Sequence, residues 1–186
     1  MRAEDVISIV KFLSRNGIPV WLTGGWGIDA LLGEQTRSHH DLDVFMLLEH
    51  VGQLNALLEG KGYSLKDIWS ENRWVIDADD RQIATAFVLW DSQGREFDAH
   101  AMCLDVQGNG LPAWDAPEGF IFTRQDLAGH GLINGFTVPC ITPESQVFCH
   151  TGYPLPEKHL LDMKLLHDKF GLGLPENFSG ERIGDL

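Results

Sequence analysis

The sequence predicts an α/β fold, and three observations carry that expectation. Val20 to Leu22 is a short apolar run that stops at Thr23, Gly24 and Gly25, the mark of a buried strand broken by a turn. Leu42 to Leu48 is a second apolar run, headed by Asp41 and Asp43 on either side of Leu42. Ile83 to Trp90 and Glu96 to Met102 flank Asp91-Ser92-Gln93-Gly94, a turn composition that predicts a β-hairpin. Between and beyond these runs the apolar residues recur at helical spacing.

In chain order, Val6, Ile9, Val10 and Leu13 predict a first helix, stopped by Asn16-Gly17 before Pro19. A helix starting near Trp26 carries Ile28, Leu31 and Leu32 and ends at Gly33. Asp29 lies in its first turns, with a capping or packing role set against a substrate role. Gln35 to His40 reads as a polar loop whose histidines serve as loop hydrogen-bonders. Leu54, Leu57 and Leu58 mark a helix from about Val51 to Glu59, closed by Gly60 and Gly62. Tyr63 to Trp69 shows neither period clearly. Leu104 to Ala116, rich in Gly, Pro and Asp, predicts a long loop framing a pocket, with Trp114 as a lining candidate. Phe120 to Phe122 suggests a short strand, and Ile133-Asn134-Gly135-Phe136 a tight hairpin. Thr142 can cap a helix starting at Pro143; Leu160, Leu161, Leu165, Leu166 and Phe170 pattern a last helix ending at Gly171. The tail after Pro175 is expected to be loosely ordered.

The chemistry gathers in residues 20–44. Gly24 and Gly25 lack a Cβ, so the backbone can take strained angles and approach a phosphate, whose charge suits the helix N-terminus that follows. Asp41 and Asp43 are two apart on a strand and therefore share a face. Like charges that close repel, and Mg²⁺ relieves the repulsion because it takes oxygen ligands from one or two carboxylates plus substrate phosphates. Arg37 could seat a phosphate through its planar fork or pair with local carboxylates. Asp98 shares a strand face with His100, opposite Phe97, Ala99 and Ala101. Alone it would read as an edge-strand residue; beside Asp41 and Asp43 it becomes a third carboxylate for phosphoryl chemistry.

Gly24-Gly25-Trp26, Asp29, Gly33, Thr36-Arg37, His39, Asp41 and Asp43 together resemble the antibiotic nucleotidyltransferases of the polymerase-β-like superfamily, especially the lincosamide type. Ile83 to Met102, Gly108-Asn109-Gly110, Ile133-Asn134-Gly135 and His150-Thr151-Gly152-Tyr153 extend the likeness over most of the chain. The resemblance implies a mixed sheet flanked by helices, with a nucleotidyltransferase core over 1–105 and a smaller C-terminal lobe of acceptor-side loop, hairpin and helices over 106–186. It implies a metal site at Asp41, Asp43 and Asp98, with Asp98 also assisting deprotonation of the acceptor hydroxyl. Lys158, beside His159, resembles the aminoglycoside 2″-type, where a lysine at this point helps bind nucleotide; the lincosamide type carries acidic residues there. The implied reaction moves AMP from a Mg²⁺-bound nucleoside triphosphate, ATP first, to a hydroxyl of a small antibiotic. A lincosamide leads; an aminoglycoside, a protein side chain, and an inactive nucleotide-binding module stay open.

Composition bounds the rest. The 186 residues suit one substantial core with a small helical annex. Lys plus Arg number 14 against 27 Asp plus Glu, a formal charge of −13, which argues against nucleic-acid and anionic-membrane partners. It fits a cationic small acceptor or simply solubility. A homodimer is a possible assembly. No run approaches the ~18 apolar residues of a membrane span, and Met1-Arg2-Ala3-Glu4-Asp5 does not open a secretory signal, so a cytoplasmic location is expected. Cys103, Cys140 and Cys149 show no Cys-x-x-Cys spacing and are expected to be reduced thiols.

Overall fold

The computed structural model describes residues 1–77, 80–151 and 154–174. Gly152, Tyr153 and the tail after Pro175, named in the sequence reading, lie outside them. α1 (Ala3–Arg15) buries Val6, Val10 and Leu13 at helical spacing. β1 (Val20–Leu22) runs directly into α2 (Gly24–Leu32). This helix starts at Gly24, ahead of the expected Trp26, because the Thr23 carbonyl already accepts from the Gly27 amide at 3.1 Å. Gly33 closes it in the left-handed conformation.

β2 (Asp41–Leu47) leads through a short 3₁₀ turn into α3 (Val51–Glu59) and then β3 (Ser64–Ile68). The expected strand over 83–90 is two strands instead. β4 (Trp74–Ile76) and β5 (Gln82–Ala84) form a separate two-stranded arm, and β6 (Ala86–Trp90) rejoins the main sheet. The break falls at Thr85, which is fully buried and whose amide is drawn off the ladder: it donates to Asn72 Oδ1 at 2.7 Å, and the hydroxyl donates to the Arg73 carbonyl at 3.0 Å. β7 (Glu96–Leu104) completes the predicted hairpin.

The expected loop over 104–116 contains β8 (Gly110–Pro112), which pairs with the end of β7. Phe122 makes a single bridge to Gly110 rather than the expected strand at 120–122. β9 (Gly129–Ile133) and β10 (Phe136–Cys140) turn at Asn134-Gly135, both at positive φ, as a two-residue hairpin turn requires. α4 (Pro143–Cys149) is capped by Thr142 Oγ1, and α5 (Glu157–Phe170) ends at left-handed Gly171.

Among the described residues eight strands form one mixed sheet, ordered β3-β6-β7-β2-β1-β10-β9 with β8 on β7. Strands from both sides of residue 105 therefore share it. β2 and β7 run parallel at its centre, as do β1 and β10, and the other pairs are antiparallel. Leu42, Val44 and Met46 join the core shared with α1 and α3, whereas Asp41, Asp43 and Phe45 line the opposite side.

Candidate active site

The register between β2 and β7 builds the acidic floor. Asp43 is the Cα partner of Asp98, and Asp41 that of Glu96. Glu96 is occupied by Lys66 Nζ at 2.6 Å, so Asp41, Asp43 and Asp98 remain as the acidic group. Burial, followed by the charges of Asp41 and Asp98, pushes the Asp43 carboxyl well above the usual carboxylate range; Lys158 and Arg37 pull it the other way. That cost of crowding is what a bound cation would remove. Mg²⁺ fits this donor set of carboxylate oxygens. Among the described residues no three His, Cys, Asp or Glu side chains form a ready cation cage, and Mg²⁺ needs only one or two carboxylates when substrate phosphates complete its shell.

Gly24 stands against Asp43. Its φ is +56°, and a Cβ there would fall 2.1 Å from Asp43 Oδ2, so both the conformation and the space demand glycine. Gly25 is equally confined, by His39 Nδ1 at 2.2 Å from a built Cβ. The turn thus brings the start of α2 to the carboxylates, with the positive end of the helix dipole beside them.

Behind the turn lies a buried ionic chain. Asp29, 2% exposed, accepts from the Thr36 amide at 3.1 Å and hydroxyl at 2.6 Å and pairs with His39 Nε2. His39 Nδ1 meets Arg37 Nη1 at 2.9 Å. Arg37 in turn forks onto Asp162 of α5, Nε to Oδ1 at 3.1 Å and Nη2 to Oδ2 at 2.7 Å. Asp29 is therefore a packing residue, and the Arg37 partner is a remote carboxylate rather than a local one. Asp162, 1% exposed, escaped the sequence reading, although a carboxylate between Leu161 and Met163 is a signal of the same kind as Asp98. Arg37→Ala would strand the buried Asp162 charge and is expected to cost about 3 kcal/mol of stability, measured by urea denaturation. Asp162→Ala should act in the same direction, and a change under about 0.5 kcal/mol in both would contradict this role.

The fork sets the rotation of α5. Lys158 lies one helical turn before Asp162, hence on the same face, and reaches the same cavity as the carboxylates. His150 and His159 meet edge to face at 4.9 Å on that side. Burial, then the nearby His150 and Lys158, brings His159 down to about 4, and burial also lowers His150. An unfolded histidine takes its proton near 6.5, so below that pH the unfolded state binds more protons. The contribution of this pair to stability is thus complete above about pH 7 and declines as pH falls from about 6.5 toward 4. Between pH 7.5 and 5 the melting temperature of His159→Gln should fall less, or rise more, than that of the wild type.

Gly24, Gly25, Arg37, Asp41, Asp43, Asp98 and Lys158 all line one cavity of about 690 Å³. Part of its lining is aromatic. Phe45 and Trp114 stack at 5.6 Å, Phe120 and Phe148 at 5.5 Å, and Phe148 stays 55% exposed at the rim. Trp114 takes the lining place expected of it. Trp69, Glu118 and Phe120 also line the cavity and were not singled out from the sequence. Cys149 borders it with its thiol pushed up to about 12 by burial, which makes it a poor nucleophile.

An acidic floor beside a helix N-terminus, adjoining an aromatic wall, suits a phosphate-bearing donor at one end and an organic acceptor at the other. Comparison with known proteins agrees. The family model for aminoglycoside-2″-adenylyltransferase matches residues 5–166. A lincosamide resistance protein of Staphylococcus haemolyticus is 27% identical over 165 residues, covering 88% of this chain and 92% of its own. A 2″-aminoglycoside nucleotidyltransferase of Escherichia coli is 41% identical over 65 residues, covering 33% of this chain and 37% of its own. The lincomycin-bound crystal structure of the lincosamide antibiotic adenylyltransferase LnuA superposes with a TM-score of 0.72 at 26% identity, covering 89% of this chain and 96% of that one. With the site geometry and a family match across most of its length, the chain belongs to the aminoglycoside-2″-adenylyltransferase family and is a nucleotidyltransferase.

Proposed function

We propose that this protein moves a nucleoside monophosphate, AMP first, from a Mg²⁺-bound triphosphate to a hydroxyl of a small antibiotic, with a lincosamide as the leading acceptor. The observation that carries this reading is the pairing of Asp43 with Asp98 on the floor of a cavity walled by Phe45, Trp114, Phe120 and Phe148. Asp41 and Asp43 would hold the metal, joined by Asp98 where its free lone pairs reach. A Mg²⁺ ion held there would supply positive charge for the triphosphate oxygens. Gly24 and Gly25 let the α2 N-terminus seat phosphate, and Lys158 adds a positive charge from α5. Arg37, held by Asp162, supports the seat through its field. Asp98 takes the proton of the acceptor hydroxyl as its oxygen bonds to the α-phosphorus, while the α–β bridge bond breaks and pyrophosphate leaves with that electron pair.

The lincosamide preference rests on the relative and the solved structure that match over nearly the whole chain, and on an aromatic wall suited to an acceptor with an apolar face. The aminoglycoside reading is favoured by the family model and by Lys158. In line with the sequence division, residues 1–105 would form the nucleotidyltransferase core and 106–186 would bring the acceptor-side loop, the hairpin and the C-terminal helices. Among the described residues no helix is long and apolar enough to cross a membrane. Incubation with ATP and Mg²⁺ against lincosamides, aminoglycosides and a protein acceptor, read by product mass, tests the assignment. An adenylylated lincosamide supports it; an exclusively aminoglycoside or protein product overturns the acceptor, and no product with ATP or, in a repeat, with GTP, CTP or UTP overturns the function.

The charge of −13 gives a separate expectation. If it helps hold a cationic acceptor, acceptor affinity should weaken between about 0.05 and 0.5 M salt, a range over which the screening length shrinks severalfold. Triphosphate affinity should not fall in parallel. Salt-independent acceptor binding by calorimetry would leave solubility as the role of the acidic surface.

A further inference from the structure

Trp69 does more than line the cavity. Its indole Nε1 donates to both carboxylate oxygens of Asp98, at 3.0 Å to Oδ1 and 3.1 Å to Oδ2. His100 Nδ1 lies 3.5 Å from Oδ1 as well, so Oδ2 has the lighter set of donors around it. Asp98 is 9% exposed, whereas Trp69 is 43% exposed at the end of edge strand β3. A half-exposed side chain held at a mostly buried carboxylate needs an anchor, and the turn over 69–73 supplies one. The Trp69 amide donates to the Ala86 carbonyl at 3.2 Å. Asn72 Oδ1 accepts from the amides of Thr85 at 2.7 Å and Ala86 at 3.2 Å, and the Arg73 amide donates to Thr85 Oγ1 at 2.9 Å.

The same turn reaches the aromatic wall. The Glu71 carbonyl accepts from the Asp115 amide at 2.7 Å, next to Trp114, and Arg73 Nη2 pairs with Asp115 at 2.5 Å. Glu71 Oε1 meets His100 Nε2 at 3.2 Å, and the His100 ring packs edge-on against Trp114 at 5.1 Å. One short turn therefore fixes the carboxylate and the segment that carries the wall beside it.

We propose that Trp69 is a positioning residue of the transfer reaction: its indole N–H fixes the Asp98 carboxylate so that Oδ2 faces the acceptor hydroxyl, and the 69–73 turn holds that carboxylate in register with the Trp114 wall. The proposal rests on the nucleotidyl-transfer reading above. An indole N–H occupies one lone pair of each oxygen and leaves the others open, so it orients the carboxylate without blocking it. Rotation of Asp98 away from the hydroxyl is then opposed by one indole N–H shared between its two oxygens rather than by packing alone.

Two measurements on the full chain test it. In ¹⁵N-tryptophan-labelled protein, the indole resonance that disappears in Trp69→Phe should shift upfield in Asp98→Ala and by a smaller amount in Asp98→Asn. An unmoved resonance in both overturns the contact and with it the proposal. In kinetics, Trp69→Phe keeps the aromatic face and loses only the donor. Its kcat should fall about tenfold or more, the scale of one hydrogen bond to a charged group, with triphosphate affinity within about twofold. Trp69→Ala should show the same fall in kcat and in addition a raised acceptor KM. Wild-type kcat in Trp69→Phe overturns the positioning role while leaving the proposed function intact. A wild type that transfers to no acceptor overturns the function and the catalytic part of this proposal, and the resonance still decides whether Trp69 holds Asp98.

Discussion

Asp43→Asn is expected to lower transfer by ~10³-fold or more, the upper end of the loss when one group stabilising transition-state charge is removed. Asp41→Asn should act in the same direction. The reason lies in the floor of the cavity. Asp43 is crowded by Asp41 and Asp98, and its ionised form is disfavoured until a cation shares the site. Removing one charge relieves that crowding, so the metal-free melting temperature of each variant should equal or exceed that of the wild type. The ligand response should move oppositely. Wild type with Mg²⁺ and a non-hydrolysable triphosphate at about a hundred times Kd should gain about 2.7 kcal/mol, and both variants should lose most of that gain. A variant that keeps its turnover, or that unfolds without metal, contradicts the assignment.

Asp98→Asn should separate binding from chemistry. The amide keeps the shape and can still accept the Trp69 indole N–H, but it cannot take the proton of an attacking hydroxyl. Its rate should fall ~10²-fold or more, the scale of a lost general base, with triphosphate and acceptor affinities within a few-fold. Single-turnover rates with separately measured dissociation constants decide the point. Loss of Mg²⁺-triphosphate binding together with turnover would make Asp98 chiefly a metal ligand, and normal turnover would place the base elsewhere.

How far the sequence disclosed this site follows from where each residue sits. The stretch from Val20 to Val44 was legible because its first strand is a short apolar run, its turn demands glycine, and its carboxylates recur at the period of a strand. Asp98 was legible because a carboxylate inside an apolar strand stands out. β3 was not, since it is an edge strand exposed along most of its length and so has no alternation of apolar and polar residues to read. Trp69 was lost with it. The single strand expected over 83–90 failed for the opposite reason. Ile83 and Ala84 continue the apolar run of β6, and only the side-chain hydrogen bonds of Thr85 and Asn72, from thirteen residues away in sequence, break it. The Arg37–Asp162 fork joins positions 125 residues apart, a pairing that local periodicity does not encode.

The central claim is that the paired carboxylates of β2 and β7 serve metal-assisted transfer from a triphosphate to an acceptor in the adjoining cavity. Pyrophosphate release measured in a single turnover, with Mg²⁺ or with chelator and with or without a lincosamide or aminoglycoside, tests it most directly. The account predicts release only when triphosphate, Mg²⁺ and an acceptor are all present, in a one-to-one ratio with modified acceptor, and its loss in Asp43→Asn. Pyrophosphate release that is unchanged by chelator or by Asp43→Asn, or its absence with every acceptor while the triphosphate analogue binds, would contradict it.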